Sequence, residues 1–430
     1  MKSLTSLTRA TICLTLFLAW AGYAPEVKAQ SLKAAPASGT ASVTYEEAFV
    51  DLHQTLGRQY PCFALKNIDW PAVGEELLPR AKRVKTDGEF GLLCMELVAR
   101  IEDSHAYLLS SSANVPAPAF ARWDPGFACL IDDGGKPVVY YVDRGGPAAK
   151  AGVKIGMTVV SVDGRPAVEA IEDCRKQVRK HQGFSSERYL RYQVARWFVR
   201  QMERGTIVSL EMTDPAGKLR KFELPATMGV RYLPRLPAPI PGIRDSANVA
   251  WTRFDENIGY IYVRRIKSDL IESLDKAVGE LQGVTGLIVD VRGNSGGGYD
   301  ARRAHRNFAP DDSAETERPR FAGPIALLID SRCISAGEGW ASWFVANNRA
   351  KLLGEATAGA SARKRTYALK NGLYQVKFPV KAYCGSLDRP IERRGLEPDV
   401  PLRQNAQDLA AGRDTVLEAA KKLLLKKQDN

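Results

Sequence analysis

Apolar residues recur at helical spacing along the first part of the chain, from Tyr45 to Leu109. Two sets follow this period: Tyr45, Ala48, Phe49, Leu52 and Leu56, and then Phe90, Leu93, Leu97 and Ile101. Residues three and four positions apart share one face of a helix, so each set predicts an amphipathic helix. The run Thr86-Asp87-Gly88-Glu89 is a start signal of the capping-box kind for the second helix, which we expect to run towards His105.

The pattern then changes to short apolar runs separated by turns. Val138–Val142 and Val159–Val162 are predicted strands, and Asp-Gly pairs mark turns beside them. Gly146–Val153 predicts a one-turn helix, because Pro stands at its start and Gly at its end. Proline-rich segments at 113–125 and 230–249 predict linkers on either side.

From residue 250 onwards, strand-like and helix-like segments alternate. The predicted strands are Gly259–Arg264, Leu287–Val291, Ile325–Ile329 and Tyr374–Val380, and the predicted helices are 268–282, 336–348 and 407–427. Alternation of this kind is typical of α/β domains built on a largely parallel sheet. The chain has 430 residues, enough for several domains. We therefore predict a multidomain α/β protein.

Residues 1–29 are typical of a secretory signal peptide. Lys2 and Arg9 precede the apolar run Ala10–Gly22, which is shorter than the roughly 20 residues that span a bilayer. Val27-Lys28-Ala29 fits a small-residue cleavage site. An uncleaved membrane anchor is the alternative interpretation. We expect export to the periplasm or the cell exterior, with no stable membrane span after cleavage.

Charge and composition exclude several classes of protein. Lys and Arg number 61 against 49 Asp and Glu, a net charge of +12, of which the segment 1–29 contributes +2. Hydrophobic residues make up 45% and charged residues 26%, so the chain as a whole is not intrinsically disordered. A basic chain can bind nucleic acid or membrane surfaces, but no nucleic-acid-binding motif accompanies the charge. We expect no nucleic-acid partner, and the sequence leaves the oligomeric state open.

Cysteine usage fits an exported protein. Cys13 lies in the predicted signal peptide, and the other six fall two to a region: Cys62 and Cys94, Cys129 and Cys174, Cys333 and Cys384. One disulfide per region is the natural prediction in an oxidising compartment, and six buried free thiols are the alternative. No CxxC or Cys/His cluster has zinc-ligand spacing, so we expect no metal and no cofactor.

Ser335 is the first candidate for chemistry. A buried strand is predicted to end near Asp330, and a helix to begin around Ser335 after a short turn. A serine hydroxyl at a helix start lies near free backbone N–H groups and the positive end of the helix dipole, which favour an alkoxide or oxyanion. The run Ser335-Ala336-Gly337-Glu338 is also an ordinary capping box, so this segment alone leaves both interpretations open.

A glycine-rich turn occupies the end of the run Leu287–Gly298. Three successive glycines allow backbone N–H groups to approach a ligand closely, as in an oxyanion hole. A phosphate-binding loop is disfavoured, because no Lys-Ser/Thr pair follows the glycines. A purely structural turn is the alternative.

A serine nucleophile needs a base, and the chain has four histidines. His53 lies on an amphipathic helix, while His181 and His305 lie in polar, basic stretches. His105 closes a predicted helix beside Ser104, where capping the helix C-terminus is its alternative role. By position, His105 is the best of the four candidates.

Together these segments resemble the tail-specific protease family, serine peptidases whose core follows a PDZ domain. The resemblance covers most of the chain after residue 29 and rests on segments in family order: Gly145–Gly164, Gly259-Tyr260-Ile261, Asp290–Asn294, the Ser335 segment, Gly354–Gly359 and Gly395–Asp399. It implies a helical region over 30–112, a PDZ-like β domain with a helical insert over 123–229, and an α/β protease core of the ClpP/crotonase kind over 250–430.

One difference within this family separates two mechanisms. The C-terminal-processing branch activates its serine with a lysine just after the GExTxG turn, where this chain has Ala360, and Lys364 comes four residues too late. The tricorn-type branch uses a Ser and a His with a supporting Glu and a second Ser. The chain resembles that branch at Ser104-His105-Ala106-Tyr107, at Ser335 and at Glu392.

The resemblance assigns roles to these residues. It implies Ser335 as the nucleophile, His105 as the general base, and Glu392 and Ser104 as the groups that hold the imidazole. It further implies that the oxyanion hole consists of backbone amides, and these belong to Ala336 and to Gly296 or Gly297.

The substrate is expected to be a peptide or protein. Arg363 and Arg365 follow the 354–359 turn, and Phe127 lies in the segment where the PDZ-like region would bind a carboxylate. We therefore expect these three residues to contact substrate, with a preference for acidic peptides or free C-terminal carboxylates that salt weakens.

The expected function is a secreted or periplasmic serine endopeptidase that forms an acyl-enzyme on Ser335. Two other interpretations stay open. A non-catalytic binding protein for a peptide or a hydrophobic ligand could use the same core, since Ala360 replaces the lysine of the related branch. Cys333, two residues before Ser335, could be the nucleophile instead.

Overall fold

The fold was analysed in a computed structural model of the chain. The structure describes residues 43–118, 121–229, 231–298, 302–309 and 318–426. The predicted signal peptide at 1–29 lies outside these residues. Within them, no helix combines the length and the apolar character that crossing a membrane requires.

The described residues form helices, a 3₁₀ helix over Arg302–Phe308 and three β-sheets. The α-helices are α1 Tyr45–Gln59, α2 Phe63–Lys66, α3 Trp70–Ala81, α4 Asp87–Ala99, α5 Pro147–Lys150, α6 Ala167–Arg179, α7 Glu187–Ala195, α8 Leu270–Glu280, α9 Ala336–Ala346, α10 Ala406–Ala410 and α11 Thr415–Lys426. The strands are β1 Tyr107–Ser110, β2 Phe127–Ile131, β3 Pro137–Val142, β4 Thr158–Val162, β5 Arg165–Pro166, β6 Ile207–Thr213, β7 Leu219–Pro225, β8 Arg244–Ser246, β9 Val249–Arg253, β10 Ile258–Val263, β11 Gly286–Asp290, β12 Ile325–Ile329, β13 Lys351–Gly354, β14 Ala362–Ala368, β15 Tyr374–Ala382 and β16 Val400–Pro401.

The N-terminal helices α1, α3 and α4 pack together and against a small antiparallel sheet. Their core contains the apolar residues that the helical period selected, such as Phe49, Leu52 and Leu97, together with Phe378 of β15. The Thr86 hydroxyl accepts a hydrogen bond from Glu89 N at 3.2 Å, so the predicted start of α4 is confirmed. The helix ends at Ala99, earlier than predicted, and Glu102 has a φ of 54° in the turn that follows.

The next region is an antiparallel sheet in the order β2-β3-β4-β6-β7, with β5 paired to β4. The predicted one-turn helix is present as α5, and Gly152 takes a φ of 87° just after it, which glycine adopts without strain. Helices α6 and α7 interrupt the sheet between β5 and β6. The PDZ-like character of this region stays a prediction.

The largest sheet has seven strands in the order β16-β13-β12-β11-β10-β9-β8. Strands β10 to β13 and β16 run parallel, whereas β9 and β8 are antiparallel additions at one edge. One face packs against α8 and α9 and the other against α11, which buries the central strands on both faces. This confirms the α/β architecture predicted for the C-terminal region.

Two predicted elements of that region differ in the structure. The strand at Tyr374–Val380 exists as β15, but it pairs antiparallel with β1 and β14 in a separate sheet rather than joining the parallel one. The predicted helix at 407–427 is two helices, α10 and α11. Gly412, with a φ of 70°, lies in the turn between them.

The three predicted disulfides are absent from the structure, in which all six described cysteines are free thiols. Cys62 and Cys94 lie in the core of the N-terminal helices, Cys129 in the core of the six-stranded sheet, and Cys333 against the seven-stranded sheet. These four side chains therefore serve as small apolar groups, the alternative that composition had left open.

Candidate active site

Ser335 lies in a strained turn between β12 and α9. Its backbone has φ 63° and ψ −127°, outside the regions that side-chain-bearing residues ordinarily adopt. Such strain persists only where the surrounding structure imposes it, and it concentrates at functional sites. A sharp strand-to-helix turn of this kind is also how other hydrolases expose a nucleophilic serine. The geometry is therefore that of a presented serine rather than of an ordinary N-cap.

The buried carboxylate of Glu338 fixes this turn. Its Oε1 accepts hydrogen bonds from Thr357 Oγ1 at 2.6 Å and Gly359 N at 2.7 Å, and its Oε2 from Ala360 N at 2.9 Å. Ser335 N lies 3.2 Å from the same Oε2, as the capping-box interpretation predicts. Burial raises the pKa of Glu338, and these donors oppose that rise because they favour the ionised form.

Ser361 adds a second link between the two loops. Its hydroxyl lies 2.8 Å from Ser335 O and 3.2 Å from Glu338 Oε2, so its one hydrogen can serve either oxygen. Ser335 N also donates to Ala360 O at 2.9 Å. The Ser335 turn and the loop that precedes β14 are thus held together by backbone and side-chain hydrogen bonds.

The glycine turn after β11 packs directly against Ser335. A Cβ atom on Gly296 would lie 2.9 Å from Ser335 Cβ, and one on Gly297 would lie 1.8 Å from Ile266 O, so neither position has room for a side chain. Gly296 N already donates to Asn294 Oδ1 at 2.8 Å. In this structure the Gly296 amide is therefore occupied, which differs from its predicted role as an oxyanion donor.

Ala336 fits the predicted oxyanion hole better. It is the first residue of α9, and its N–H has no hydrogen-bond partner among the described residues. The first N–H groups of a helix lack intrahelical acceptors and point out of its N-terminus. The Ala336 amide is therefore available to an oxyanion beside Ser335.

His105 lies in the loop between α4 and β1, where Asp103 holds its backbone. His105 N donates to Asp103 Oδ1 at 2.8 Å, and Tyr60 Oη donates to Asp103 Oδ2 at 2.8 Å. The imidazole is buried, and its Nδ1 has no hydrogen-bond partner in the described part of the chain. Burial and Lys364 lower the pKa of His105 to about 4, against the opposing charge of Asp103. The ring is therefore neutral at physiological pH.

Glu392 makes an ion pair with Lys66. Lys66 Nζ lies 2.6 Å from Glu392 Oε1 and 3.6 Å from Asp103 Oδ2, and all three side chains are at most 1% exposed. Burial and the charge of Asp103 act to raise the pKa of Glu392, and the Lys66 ammonium at 2.6 Å opposes that rise because it favours the ionised carboxylate. Burial also acts to raise the pKa of Asp103, but Lys66 and His105 outweigh it and lower that pKa. Among these residues, Glu392 is linked to His105 through Lys66 and Asp103 rather than by a direct hydrogen bond.

Ser104 pairs with Ser185, just before α7. Ser104 N donates to Ser185 Oγ and Ser185 N donates to Ser104 Oγ, both at 3.0 Å. The neighbouring Ser186 hydroxyl donates to Ala358 O at 2.5 Å. The helical insert therefore contacts both the His105 loop and the loop beside Ser335.

The two halves of the site adjoin the same small sheet. Ser361, bonded to Ser335 O, immediately precedes β14, while β1 begins two residues after His105 and pairs with β15 in the same sheet. On the other side, Arg393 N donates to Gly359 O at 2.7 Å, beside Glu392. No hydrogen bond joins Ser335 to His105 within the described residues.

The predicted substrate contacts fall in two places. Arg363 and Arg365 are exposed on β14, and Arg365 Nη1 donates to Gln59 Oε1 at 2.9 Å. Phe127 packs in the core of the six-stranded sheet with 1% of its surface exposed, so in this structure it presents no surface to a peptide. The described residues contain no cluster of ligands suited to a metal ion.

Three residues of this site were not found from sequence. Lys66 and Asp103 gave no motif of their own, although an acid two positions before a candidate base is a weak signal. Glu338 was recognised only as half of a capping box. Its contacts with the 357–361 loop depend on a chain reversal that local patterns do not contain.

Two stretches of the chain match known protein families. Residues 257–402 match the model of peptidase family S41, and residues 42–99 match the tricorn protease C1 domain. A tricorn protease homolog of Streptomyces coelicolor is 24% identical over 384 residues, which cover 83% of this chain and 30% of that protein. A carboxyl-terminal-processing protease of Synechocystis is 25% identical over 198 residues, covering 40% of this chain and 45% of its own. The chain thus spans less than half the length of these relatives.

Solved structures share the fold. Mature CPAF complexed with lactacystin superposes with a TM-score of 0.62 at 12% identity, covering 89% of this chain and 97% of that one. A peptidase structure from Parabacteroides merdae gives 0.55 at 18% identity, with 89% and 97% covered. The two family models divide the chain as its elements do: the tricorn C1 model covers the N-terminal helices, and the S41 model covers the strands around Ser335. The S41 family model, the tricorn C1 model and the tricorn and carboxyl-terminal-processing relatives together support a tail-specific S41 peptidase.

Proposed function

We propose that the protein is an exported serine endopeptidase that hydrolyses peptides or proteins through an acyl-enzyme on Ser335. The observation that carries this proposal is the strained backbone of Ser335 beside the unpartnered N–H of Ala336. A serine needed only as an N-cap can take ordinary extended dihedrals, as Thr44 does at α1. Strain at a half-buried turn packed against glycine is instead what a presented nucleophile requires.

His105 is the proposed general base. Its neutral ring can accept the Ser335 proton as the hydroxyl attacks the scissile carbonyl, and then return that proton to the leaving amine. Catalytic hydrogen bonds are often long in the unliganded enzyme and tighten when substrate binds. The location of His105 supports this role, because its ring feels the charge of Lys364 on β14, and Ser335 is bonded to residues 360 and 361 just before that strand.

The Ala336 amide is the proposed oxyanion donor. A tetrahedral intermediate carries negative charge on the former carbonyl oxygen, and a free N–H at a helix N-terminus stabilises it. One such donor contributes about 10²–10³ in rate in other serine peptidases. A second donor would come from the glycine turn at 296–297, which packs directly against Ser335.

The regional organisation belongs to the same proposal. A signal peptide over 1–29 would export the chain, the 123–229 region would act as a PDZ-like domain, and the 250–430 region would be a protease core of the ClpP/crotonase kind. The support is the order of segments along the chain together with the antiparallel sheet of β2 to β7 and the parallel sheet of β10 to β13. Substrates, cleavage sites and localisation follow only if the peptidase activity is found.

The test is covalent labelling of the purified protein with a fluorophosphonate, followed by peptide mapping and a peptide-hydrolysis assay. Label on Ser335, and loss of turnover by about 10⁴-fold or more in Ser335→Ala and in His105→Ala, are expected. Cys333→Ala is the matched control and should keep both labelling and turnover. Circular dichroism verifies that each variant folds.

The same experiment decides between the enzyme and a non-catalytic binding protein. A folded wild-type protein that takes no label at Ser335 and hydrolyses no peptide would favour the binding protein. Normal turnover in pure His105→Ala would overturn the assigned base. Loss of activity in Cys333→Ala alone would transfer the nucleophile to that thiol.

A further inference from the structure

Lys66 is a buried cation in the N-terminal helices that no catalytic motif includes. It ends the short helix α2, and Asn67 closes that helix with a φ of 55°. Its Nζ is surrounded by oxygen atoms: Glu392 Oε1 at 2.6 Å, Glu102 O at 2.7 Å, Ile101 O at 3.4 Å and Asp103 Oδ2 at 3.6 Å. An ammonium group has three hydrogens; it donates to the carbonyls of Glu102 and Ile101, and the two carboxylates lie within ion-pair distance of its charge.

These contacts connect three segments that are distant in the sequence. The carbonyls of Ile101 and Glu102 and the carboxylate of Asp103 belong to the loop that carries His105. Glu392 belongs to the segment before β16, where the neighbouring Arg393 is bonded to Gly359 beside the Ser335 turn. Lys66 is therefore a charged link between Glu392 and the His105 loop, beside Ser185, which is hydrogen-bonded to Ser104 and also acts on Glu392.

Lys66 is unsuited to act as the base itself. Asp103 and Glu392 raise its pKa, although burial opposes them, so the amine stays protonated and cannot accept the Ser335 proton. Its charge does act on the imidazole. The charged and titratable groups around His105 are Asp103 in its own loop, Lys364 of β14, Lys377 of β15 and Lys66 of α2. The titratable groups around Lys66 are Asp103, Glu392 and Cys62, and its ammonium also lies over the ring of Tyr60.

We propose that Lys66 is a positioning residue of the peptidase, which ties Glu392 to the Asp103–His105 loop and so makes the N-terminal helices part of the catalytic site. This inference rests on the proposed function. Without Lys66, two buried carboxylates would share one site with no cation between them, an arrangement that forces protonation or movement of one of them. Either outcome disturbs the loop that holds the imidazole.

The test compares Lys66→Met with Lys82→Met in the full chain. Met keeps the unbranched shape of Lys without its charge, and Lys82 is a surface lysine of the same region, 3.6 Å from Glu46. We expect kcat/KM of Lys66→Met to fall about 10- to 100-fold, the range seen when groups that orient catalytic or metal-binding side chains are removed. Lys82→Met should match the wild type.

The pH profile separates positioning from a merely structural role. Removing the Lys66 charge leaves the imidazole easier to protonate, so the acid limb of kcat/KM should move to higher pH in Lys66→Met and stay in place in Lys82→Met. A folded Lys66→Met with the wild-type kcat/KM and the wild-type acid limb would overturn the proposal.

A second variant keeps the proposal testable if Lys66→Met does not fold. Lys66→Met/Glu392→Gln removes both members of the ion pair and is compared with Glu392→Gln alone. If Lys66 acts through Glu392, the double variant should have nearly the kcat/KM of Glu392→Gln, with its acid limb at higher pH. A further large loss in the double variant without that shift would overturn the proposal. If the wild type hydrolyses no peptide and takes no label, the proposed function fails instead, before Lys66 is tested.

Discussion

The Ser335 turn and the His105 loop are stabilised in different ways. Around Ser335 the polar atoms are well matched, since the Glu338 carboxylate accepts from a hydroxyl and several backbone amides within 3.2 Å. Around His105 they are not, because the buried Nδ1 has no hydrogen-bond partner in the described part of the chain. The first region is built from two neighbouring loops. The second depends on charges from α2, the loop after α4 and the segment of Glu392.

This difference indicates how each half of the site is positioned. A nucleophile must be held at a fixed backbone angle, and many hydrogen bonds to one carboxylate achieve that. A base must keep a ring nitrogen free to accept a proton, so complete hydrogen-bond satisfaction would defeat its purpose. Buried atoms without partners are uncommon in folded proteins and call for an explanation of this kind. Substitutions in the Ser335 turn and in the His105 loop test this difference separately.

The largest effect is expected from Glu338→Gln. The amide keeps the shape of the side chain but turns one oxygen acceptor into a donor that faces the N–H and O–H groups of the 357–361 loop. Buried donors that lose their acceptor cost about 1–3 kcal/mol each, so we expect unfolding stability to fall by about 3–5 kcal/mol. Urea denaturation measures the loss.

The matched control is Glu272→Gln, on the exposed first turn of α8, which should change stability by less than about 0.5 kcal/mol. Residual folded Glu338→Gln should also label more slowly at Ser335, because the strained turn loses its support. An unchanged stability would mean that the hydrogen bonds around Glu338 do not fix the Ser335 turn.

Acidification is expected to lower the free energy of unfolding by about 3 kcal/mol through His105 alone. Folded His105 stays neutral down to about pH 4, whereas the unfolded chain takes up this proton below about pH 6.5. The stability from the neutral ring is therefore complete above pH 6.5 and is lost as the pH falls towards 4. Unfolding free energies of the wild type and His105→Leu at pH 7 and pH 4.5 isolate this contribution.

The expected result is a smaller loss of stability on acidification in His105→Leu than in the wild type, since the variant has no proton to exclude. Other titrating groups contribute equally to both proteins and cancel in the comparison. If acidification lowered the free energy of unfolding equally in the two proteins, the His105 ring would not be held neutral by its surroundings. The difference drawn above between the two regions would then lose its basis at His105.

The sequence predicts the Ser335 half of the site well because that half is local. A strand, a turn and a helix follow one another within the run from Ile325 to Ala346, and each leaves its own pattern of apolar and small residues. The glycine turn at 296 and 297 was also visible in the sequence, and the structure leaves no room for a side chain at either position. Glu338 was visible, but its partners in the 357–361 loop were not.

The His105 half could not be assembled from sequence in the same way. Lys66 lies in a four-residue helix, where a single lysine predicts only a solvated charge. The carboxylates that contact it, those of Asp103 and Glu392, come from distant segments. The strands that pair with β15 could not be predicted either. The alternation of residues along a strand shows that it pairs, but not with which strand. Local patterns determine elements, and long-range ion pairs and strand pairs decide where those elements meet.

The smallest expected effect concerns the exposed arginines of β14, which adjoin both regions. If Arg363 and Arg365 attract acidic substrate, Arg363→Gln/Arg365→Gln should raise KM for an acidic peptide about two- to five-fold at low salt and leave a neutral peptide unaffected, with kcat unchanged. Salt near 1 M should abolish the difference between wild type and variant, because screening acts most strongly on exposed charges. Lys150→Gln, at the end of α5, is the matched surface control. Equal KM values for acidic peptide at low salt in all three proteins would mean that substrate is recognised without these charges, by the Ser335 turn and the His105 loop themselves.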